Sequence, residues 1–297
     1  MDAGPRHRAA PRTPQGFSEP VTIDAAGLSH KGYVRKANED HFLIARAGRY
    51  FETVETSLPA GEVPDRVEEA GYSLLVADGM GGHVGGELAS RLVLSEIVKL
   101  ALALPDWIVR VEESTSRAAA ERAQRRVVQL NAAVIERGKQ DPALRGMGST
   151  LTAARNLGRM LQIAHVGDSR AYLLRQGSLH RLTRDHTYVQ MLVDTGQMTP
   201  EEALASRSRH VLTNAIGGFN EDVLVDVERL PLENGDRLLL CSDGLTDFVD
   251  DEAIRAELSA ARNATDACRA LVDRALAAGG RDNVTVVVAC YSWPSAD

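Results

Sequence analysis

Residues 72–82 read Tyr72-Ser73-Leu74-Leu75-Val76-Ala77-Asp78-Gly79-Met80-Gly81-Gly82 and join an apolar strand to a glycine-rich acidic turn. It begins as a short, nearly continuous apolar run, which is typical of a strand buried on both faces. The run ends at Asp78, and the glycines behind it let the backbone turn sharply and approach an ion or a phosphate closely. The Gly79 carbonyl can itself be a cation ligand. Alone, this pattern predicts either a metal ligand or a tight strand–helix turn that Asp78 caps.

Acidic turns at the ends of apolar strands recur along the chain. Asp243 and Asp282 each stand next to an apolar run, and so does the pair Glu39 and Asp40. One Asp-Gly pair is a common turn and means little. Several such turns predict a shared centre, because hard divalent cations are held by oxygens from separate loops. Two octahedral Mg²⁺ or Mn²⁺ ions that share a carboxylate and hold a bridging water fit this set.

Arg35 lies five residues before Asp40. Beside a dimetal site, an arginine suits bidentate capture of a phosphate and neutralises charge that the metals do not reach. Taken alone, it is better interpreted as a surface arginine.

Composition limits the classes of function. The chain has 297 residues, of which 44% are hydrophobic, and a formal charge of −7. Such a chain can build a substantial core, and its acidity argues against general nucleic-acid binding. No run approaches the roughly 20 apolar residues that span a bilayer. Three separated cysteines without a CxxC spacing predict reduced core residues. We therefore expect a cytoplasmic protein without a membrane segment, and we also expect a monomer.

The order of predicted elements favours one catalytic domain over 21–293. Residues 1–20 contain four prolines and predict a disordered arm. The acidic segment 50–71 predicts a loop insertion. Consecutive hairpin strands, with helices grouped in pairs, predict an antiparallel α+β domain rather than alternating βαβ units.

Seven motifs together resemble the metal-dependent (type 2C) serine/threonine protein phosphatases, in the compact bacterial branch. Each is modest evidence alone, but all occur in the family's order between Thr22 and Ser292. They are Arg35-Lys36-Ala37-Asn38-Glu39-Asp40, Val76-Ala77-Asp78-Gly79-Met80-Gly81-Gly82-His83, Gly148-Ser149-Thr150, Val166-Gly167-Asp168-Ser169-Arg170, Thr183-Arg184-Asp185-His186, Leu240-Cys241-Ser242-Asp243-Gly244-Leu245 and Asp282-Asn283-Val284-Thr285.

The resemblance implies a fold and a site. The fold would be a four-layer α-β-β-α sandwich, with two antiparallel sheets flanked by helix pairs and the metal site at one end. Residues 186–216 would form a mobile flap beside that site. Two Mn²⁺ or Mg²⁺ ions would be bound, with a third, weaker ion between Asp168 and Asp243.

The resemblance also assigns roles by motif match. Asp78 would bridge the two metals, Asp243 and Asp282 would bind the first, and the Gly79 carbonyl would bind the second. Asp40 would ligate directly or through water, Glu39 would hold metal-bound waters, and Arg35 would grip the phosphate. These are the residues expected to carry catalysis and metal binding: Arg35, Glu39, Asp40, Asp78, Gly79, Asp168, Asp243 and Asp282.

One position departs from part of the family. Some relatives carry His directly after the Asp-Gly pair as a proposed general acid, whereas this chain has Met80. A thioether cannot donate a proton, so leaving-group protonation would fall to a metal-bound water or another group. His83 is more consistent with a role in the glycine turn than with proton transfer.

The resemblance implies phosphorylated protein substrates and a cognate serine/threonine kinase. Two other functions stay open. A catalytically idle binding or scaffold domain would show no metal binding, although this chain keeps the main ligand positions. A phosphodiesterase or small-phosphoester hydrolase would prefer nucleotides to phosphopeptides.

Overall fold

The computed structural model describes residues 21–59, 61–81, 83–103, 116–219 and 221–294. The predicted arm over 1–20 lies outside the described residues. The strands are β1 Thr22–His30, β2 Asp40–Glu52, β3 Arg66–Met80, β4 Gly148–Ser149, β5 Leu151–Leu157, β6 Met160–Val166, β7 Arg170–Arg175, β8 Ser178–Arg181, β9 Ile216–Gly217, β10 Asp226–Pro231, β11 Arg237–Cys241 and β12 Val284–Ser292.

The helices fall into two pairs and a set of short ones. They are α1 His83–Ala103, α2 Ser116–Gln140, α3 Tyr188–Asp194, α4 Pro200–Ala205, α5 Asp243–Thr246, α6 Asp251–Ala260 and α7 Ala264–Ala277, with a 3₁₀ turn at Pro142–Leu144. None of the described helices is both long and apolar enough to cross a bilayer.

The strands form two sheets in which every strand pairing is antiparallel. One sheet has the order β1-β12-β11-β7-β8, and the other has the order β10-β6-β5-β3-β4-β9, with β2 paired to β3. This arrangement confirms the α+β class with two antiparallel sheets. It also places β3 and β12 in the interior of their sheets, with a neighbouring strand on each side.

Strand β3 is buried on both faces, as its apolar run predicts. Leu74 and Val76 pack into the core between the two sheets. Leu75 and Ala77 point the other way, into the cluster that α1 and α2 close. Successive side chains of a strand face opposite sides, so an unbroken apolar run serves two cores.

Strand β12 repeats this arrangement in the other sheet. Val287 and Ala289 face the core between the sheets, while Val286 and Val288 face the cluster that α6 and α7 close. Three apolar layers therefore separate helix pair, sheet, sheet and helix pair. This is the predicted four-layer α-β-β-α sandwich.

The predicted loop at 50–71 is shorter than expected. Residues 50–52 and 66–71 are strand, because β2 and β3 continue as a hairpin in which Tyr50 pairs with Glu68 and Glu52 with Arg66. Alternate side chains of this ribbon face solvent, so its many acidic residues are compatible with a strand. The loop prediction was wrong at both ends, because acidic residues are typical of loops and of solvent-exposed strands alike.

Candidate metal centre

Strand ends carry the acidic residues to one end of the sandwich. Asp40 begins β2 and is the direct cross-strand partner of Asp78 near the end of β3. Asp243 begins α5 directly after β11, and Asp282 lies two residues before β12. Because β11 pairs with β12, their loops meet at the same edge. The predicted ligand positions are therefore brought together.

Asn283 fixes the loop that carries Arg35 and Glu39. Its side-chain amide donates to the carbonyls of Lys31 and Ala37, each at 2.9 Å. Its side-chain oxygen accepts from the Glu39 backbone N–H at 2.8 Å. One buried amide thus holds a surface loop against the start of β12, which the sequence did not predict.

Gly79 and Gly86 make room for the acidic loop. A Cβ on Gly79 would lie 2.0 Å from the Gly86 carbonyl oxygen, and a Cβ on Gly86 would lie 2.0 Å from Oε2 of Glu39. Real side chains cannot approach so closely, so only glycine fits either position. The Gly79 N–H also donates to the Glu39 carbonyl at 3.2 Å. The two glycines therefore bring the Glu39 carboxylate and the Gly79 backbone together.

Asp40 is buried with one oxygen satisfied and one not. The Ser242 hydroxyl donates to its Oδ2 at 2.6 Å, whereas Oδ1 is buried without a hydrogen-bond partner in the described structure. Burial raises the pKa of Asp40 to about 7, against hydrogen bonds from Ser242 and Thr285 that lower it. A buried acceptor without a donor is costly unless a cation fills the gap.

Asp78 and Asp168 share this environment. Burial raises the pKa of Asp78 well above its ordinary value, and the charges of Asp40, Asp243, Asp168 and Asp282 raise it further. The pKa of Asp168 is raised in the same way, by burial first and then by Asp243. Carboxylates that raise each other's pKa in a buried place form a ready site for a cation.

Asp168 is held in place by its neighbours Gly167 and Ser169 and by the Gly148-Ser149-Thr150 motif. Gly167 beside it has φ +110°, a conformation suited to glycine. Ser169 shares a hydrogen bond of 2.8 Å with Thr150, and the Thr150 hydroxyl accepts from the Asp78 backbone N–H at 2.9 Å. The Gly-Ser-Thr motif therefore ties Asp168 to Asp78.

His210 is a site residue that the sequence analysis did not single out. It lies in the predicted flap, with Nδ1 at 3.3 Å from Asp243 Oδ2 and Nε2 at 3.2 Å from Asp247 Oδ2. One ligand atom from each of Asp168, His210 and Asp243 lies within 4.8 Å of the others. The hydrogen bond with Asp243 raises the pKa of His210. Only the folded chain reveals this contact, because 33 positions separate the two residues.

Arg35 reaches the acidic end and pairs with a predicted ligand. Its guanidinium donates to Asp282 Oδ2 at 2.5 Å, and this hydrogen bond raises the pKa of Arg35. The Arg35 side chain is about half exposed, at 52%. It can therefore turn to a ligand arriving from solvent.

Met80 does not reach the acidic centre by any polar contact. Its terminal methyl group packs against Gly148, where an added Cβ would lie 2.5 Å away. The side chain of His83 lies outside the described residues. The described structure thus assigns Met80 a packing role at the β3–β4 junction.

The donor set fits hard divalent cations. It consists of carboxylate oxygens from Asp40, Asp78, Asp168, Asp243 and Asp282, with the Gly79 carbonyl and the Glu39 carboxylate beside them. Mg²⁺ and Mn²⁺ prefer such oxygen ligands. The buried Oδ1 of Asp40, which has no hydrogen-bond partner in the described structure, fits such a cation.

Two packed antiparallel sheets with carboxylates gathered at one end define a class of metal-binding α+β folds. Within that class, the model of the family described as protein phosphatase 2C matches residues 65–278. The chain belongs to the protein phosphatase 2C family.

The curated relatives have consistent names. The serine/threonine protein phosphatase PstP of Mycobacterium tuberculosis is 41% identical over 243 residues, covering 81% of this chain and 44% of PstP. The chain therefore spans less than half the length of PstP. The serine/threonine phosphatase stp of Listeria welshimeri is 34% identical over 219 residues, covering 72% of this chain and 82% of stp.

Solved structures agree with the fold. The M. tuberculosis phosphatase PstP/Ppp superposes with a TM-score of 0.72 at 36% identity, covering 91% of this chain and 99% of that one. The catalytic domain of PstP in complex with two manganese ions gives a TM-score of 0.70 at 35% identity, covering 92% of this chain and 100% of that one.

Proposed function

We propose that this chain hydrolyses phosphoserine and phosphothreonine in proteins, in a reaction that depends on Mn²⁺ or Mg²⁺. The observation that carries the proposal is the gathering of carboxylates at one end of the sandwich, where burial first and neighbouring carboxylates second raise the pKa of Asp40 and Asp78. Family membership and relatives named as serine/threonine phosphatases support the same reaction.

The proposed ligands follow the geometry of the strand ends. Asp78 would hold both cations; Asp40 is its partner across the sheet, and the charges of Asp243 and Asp282 act on it. Asp243 and Asp282 would hold the first cation, and the Gly79 carbonyl would hold the second. Asp40, through Oδ1, and Glu39 would bind directly or through water. Asp168 and Asp243 would hold a third, weaker cation.

Two such cations would lower the pKa of water, so that hydroxide would be available as a nucleophile near neutral pH. Arg35 binds the phosphoryl oxygens by exchanging Asp282 for the substrate, which positions phosphorus for in-line attack. The guanidinium also stabilises charge that develops on those oxygens. No phosphorylated residue is needed, because water supplies the nucleophile. Cys241 is a poor alternative, because burial raises the pKa of its thiol to about 12.

The serine or threonine leaving group needs a proton. Met80 cannot supply one. We propose that a water within the acidic centre does so, since no protonatable side chain of the described structure follows Gly79 directly.

The cellular setting is also a proposal. Free thiols at Cys241, Cys268 and Cys290 support a reducing compartment, and hence the cytoplasm. A cognate serine/threonine kinase supplies the phosphoproteins, and the enzyme acts as a monomer. The segment 186–216 acts as a flap, supported by its contact with the centre through His210.

The decisive experiment compares wild type with Asp243→Asn on a phosphothreonine peptide. We expect wild type to be active only with added Mn²⁺ or Mg²⁺, and Asp243→Asn to lose more than about 100-fold in kcat/KM, because a ligand matters at least as much as its supporting shell. Asp273→Asn, an exposed carboxylate on α7, is the matched control and should keep full activity.

Two results would overturn the proposal. Wild type that is inert on several phosphopeptides with both metals, and that binds no Mn²⁺ in calorimetry, would indicate a scaffold domain. A preference for nucleotides or phosphodiesters over phosphopeptides would indicate a small-phosphoester hydrolase with the same centre.

A further inference from the structure

The lysines of this chain are few, and half of them lie on the loop that carries Arg35. The sequence has only four lysines. Two of them, Lys99 and Lys139, pair with glutamates elsewhere on the surface. The other two, Lys31 and Lys36, are exposed, and among the described residues neither side chain has an ion-pair or hydrogen-bond partner. The lysines on either side of the proposed phosphate-binding arginine are therefore the two that the fold does not neutralise.

This loop, residues 31–37, is fixed against the acidic centre. The side-chain amide of Asn283 holds the carbonyl groups at both of its ends, each at 2.9 Å. An added Cβ on Gly32 would lie 2.3 Å from the backbone carbonyl oxygen of Asp282. The two backbones are thus in direct contact, so the loop presents its exposed side chains from a fixed position.

Arg281 adds a third exposed cation from the neighbouring turn. The carbonyl of Gly280 before it accepts from the Tyr33 N–H at 2.6 Å. Asp282 after it pairs with Arg35 at 2.5 Å. Within the part of the chain that the structure describes, the Arg281 side chain has no ion pair or hydrogen bond either.

Lys31, Lys36 and Arg281 together are called the cationic rim below. Consecutive Cα atoms are about 3.8 Å apart, so Lys36 and Arg281 lie directly beside the two members of the Arg35–Asp282 pair. Residues 31–37 contain three cations and no carboxylate, in a chain whose formal net charge is −7. The rim is therefore a local positive field next to the acidic centre.

The rim does not serve as the internal counter-charge of the acidic centre. Arg35 has that role, because it pairs with Asp282, whereas no rim residue pairs with a described carboxylate. Two divalent cations bound by the carboxylates would also remove much of the negative charge that the rim faces. The rim is thus better explained by an anion that arrives from solvent.

We propose that the cationic rim selects phosphopeptides that carry a further anionic group, a carboxylate or a second phosphate, close to the phosphorylated residue. The inference rests on the proposed function, because it needs the substrate phosphate at Arg35. A residue two positions along an extended peptide then lies about 7 Å away, a distance that long side chains next to Arg35 cover. Charge complementarity of this kind gives specificity and a faster association, and salt weakens it.

The test measures kcat/KM of the full chain with Mn²⁺ on phosphothreonine peptides of one length. The residues two positions before and after the phosphothreonine are alanine, glutamate, lysine or a non-hydrolysable phosphonate analogue of phosphoserine. At low salt we expect the glutamate or the phosphonate peptide to exceed the alanine peptide about tenfold, and the lysine peptide to be the poorest. Near 500 mM salt the tenfold ratio should fall below about threefold. The better of the two anionic peptides identifies the preferred anion.

Variants connect this preference to the rim. Lys36→Met keeps the apolar stem and removes the charge, and should lower the ratio of kcat/KM on the better anionic peptide to that on the alanine peptide at least threefold. Arg281→Met should lower the same ratio. Lys99→Met changes an exposed lysine of α1 and should keep the wild-type ratio. Circular dichroism checks that each variant is folded.

Two results would overturn the inference and leave the proposed function intact. One is a wild type that hydrolyses the alanine, glutamate and phosphonate peptides equally well at low salt. The other is a preference for anionic peptides that Lys36→Met and Arg281→Met both retain in full, which would place the anion elsewhere. Hydrolysis of none of the peptides with either metal would instead overturn the proposed function, and the inference with it.

Discussion

Two sets of buried carboxylates in this protein are held in opposite ways. In the first set, each carboxylate meets an arginine. Arg175 donates to Asp236 at 3.0 and 2.7 Å, and Arg170 donates to Asp185 with its closest contact at 2.8 Å. These are forked ion pairs with hydrogen bonds to both oxygens, the geometry in which a buried charge is best compensated.

In the second set, carboxylates face other carboxylates. Asp40 and Asp78 are cross-strand partners, and each has its pKa raised by burial and by further acidic neighbours. Burial of an acidic residue is therefore not the mark of the functional site, since Asp236 is equally buried. The mark is burial among like charges, which a bound cation can compensate.

Breaking a compensated pair should give the largest effect on stability. Arg175→Met leaves Asp236 buried without its fork, so we expect a loss of about 3–5 kcal/mol in the free energy of unfolding. Urea denaturation measures it, and phosphopeptide turnover per folded molecule should stay unchanged. The exposed Arg255→Met, whose pair with Glu252 lies on the surface, should leave the free energy of unfolding almost unchanged. Equal losses in the two variants would contradict the comparison.

The carboxylates that face one another should make the stability of the metal-free protein depend on pH. The pKa of Asp40 is near 3.8 in the unfolded chain and about 7 in the fold. Between these values the folded state binds more protons than the unfolded state, so the metal-free protein should lose stability as pH rises from about 4 to about 7. Excess Mn²⁺ should remove this loss, because a cation favours the ionised carboxylate.

Urea midpoints measured across that range, with EDTA and with Mn²⁺, check the trend. The shifts of Asp78 and Asp168 act in the same direction, so they strengthen it. Asp40→Asn should flatten the metal-free curve. Stability that rises with pH in EDTA would show that the acidic end is compensated within the protein.

The sequence predicted most of the fold because the decisive strands are apolar on both faces. The apolar runs at 72–77 and 284–290 predict buried strands. The order of the motifs predicts the architecture around them. The loop prediction at 50–71 was wrong because a two-stranded ribbon exposed to solvent carries the same charges as a loop. Its evidence is the register of Tyr50 with Glu68, which a pattern of charges does not contain.

The acidic positions were predictable one by one, but their partners were not. Each Asp follows or precedes a strand, which the sequence shows directly. The contacts that assemble the acidic end, such as Asn283 with Ala37 and His210 with Asp243, join residues far apart in the chain. Periodicity carries no information about such pairs, so the flap histidine was missed. A resemblance supplied the ligand set, and the ligand roles stay proposals.

Arg35 has features of both sets, because it is an arginine paired with a carboxylate of the second set. If it serves substrate rather than stability, Arg35→Met should lower kcat/KM by about 10- to 100-fold, the range of one charged hydrogen-bonding contact of about 1.4–3 kcal/mol. The melting temperature should barely move, because the side chain is 52% exposed and such pairs contribute little. Lys99→Met, an exposed lysine of α1, is the control for charge alone. A large loss of stability with unchanged kinetics would place Arg35 with the structural pairs.

His210 should give the smallest effect, because its contacts with Asp243 and Asp247 lie at 3.3 and 3.2 Å on a half-exposed ring. In the metal-free protein it donates to the acidic set from the flap, so it partly compensates a charge that a cation would otherwise meet. His210→Gln should therefore increase amide exchange over 186–216 by a few-fold in EDTA, for about 1 kcal/mol lost. The control is Arg207→Gln in the same segment, which should leave exchange unchanged. Exchange in His210→Gln that matches wild type would show that the flap is held by its other bonds, such as that of the Thr213 N–H with the His186 carbonyl at 2.8 Å.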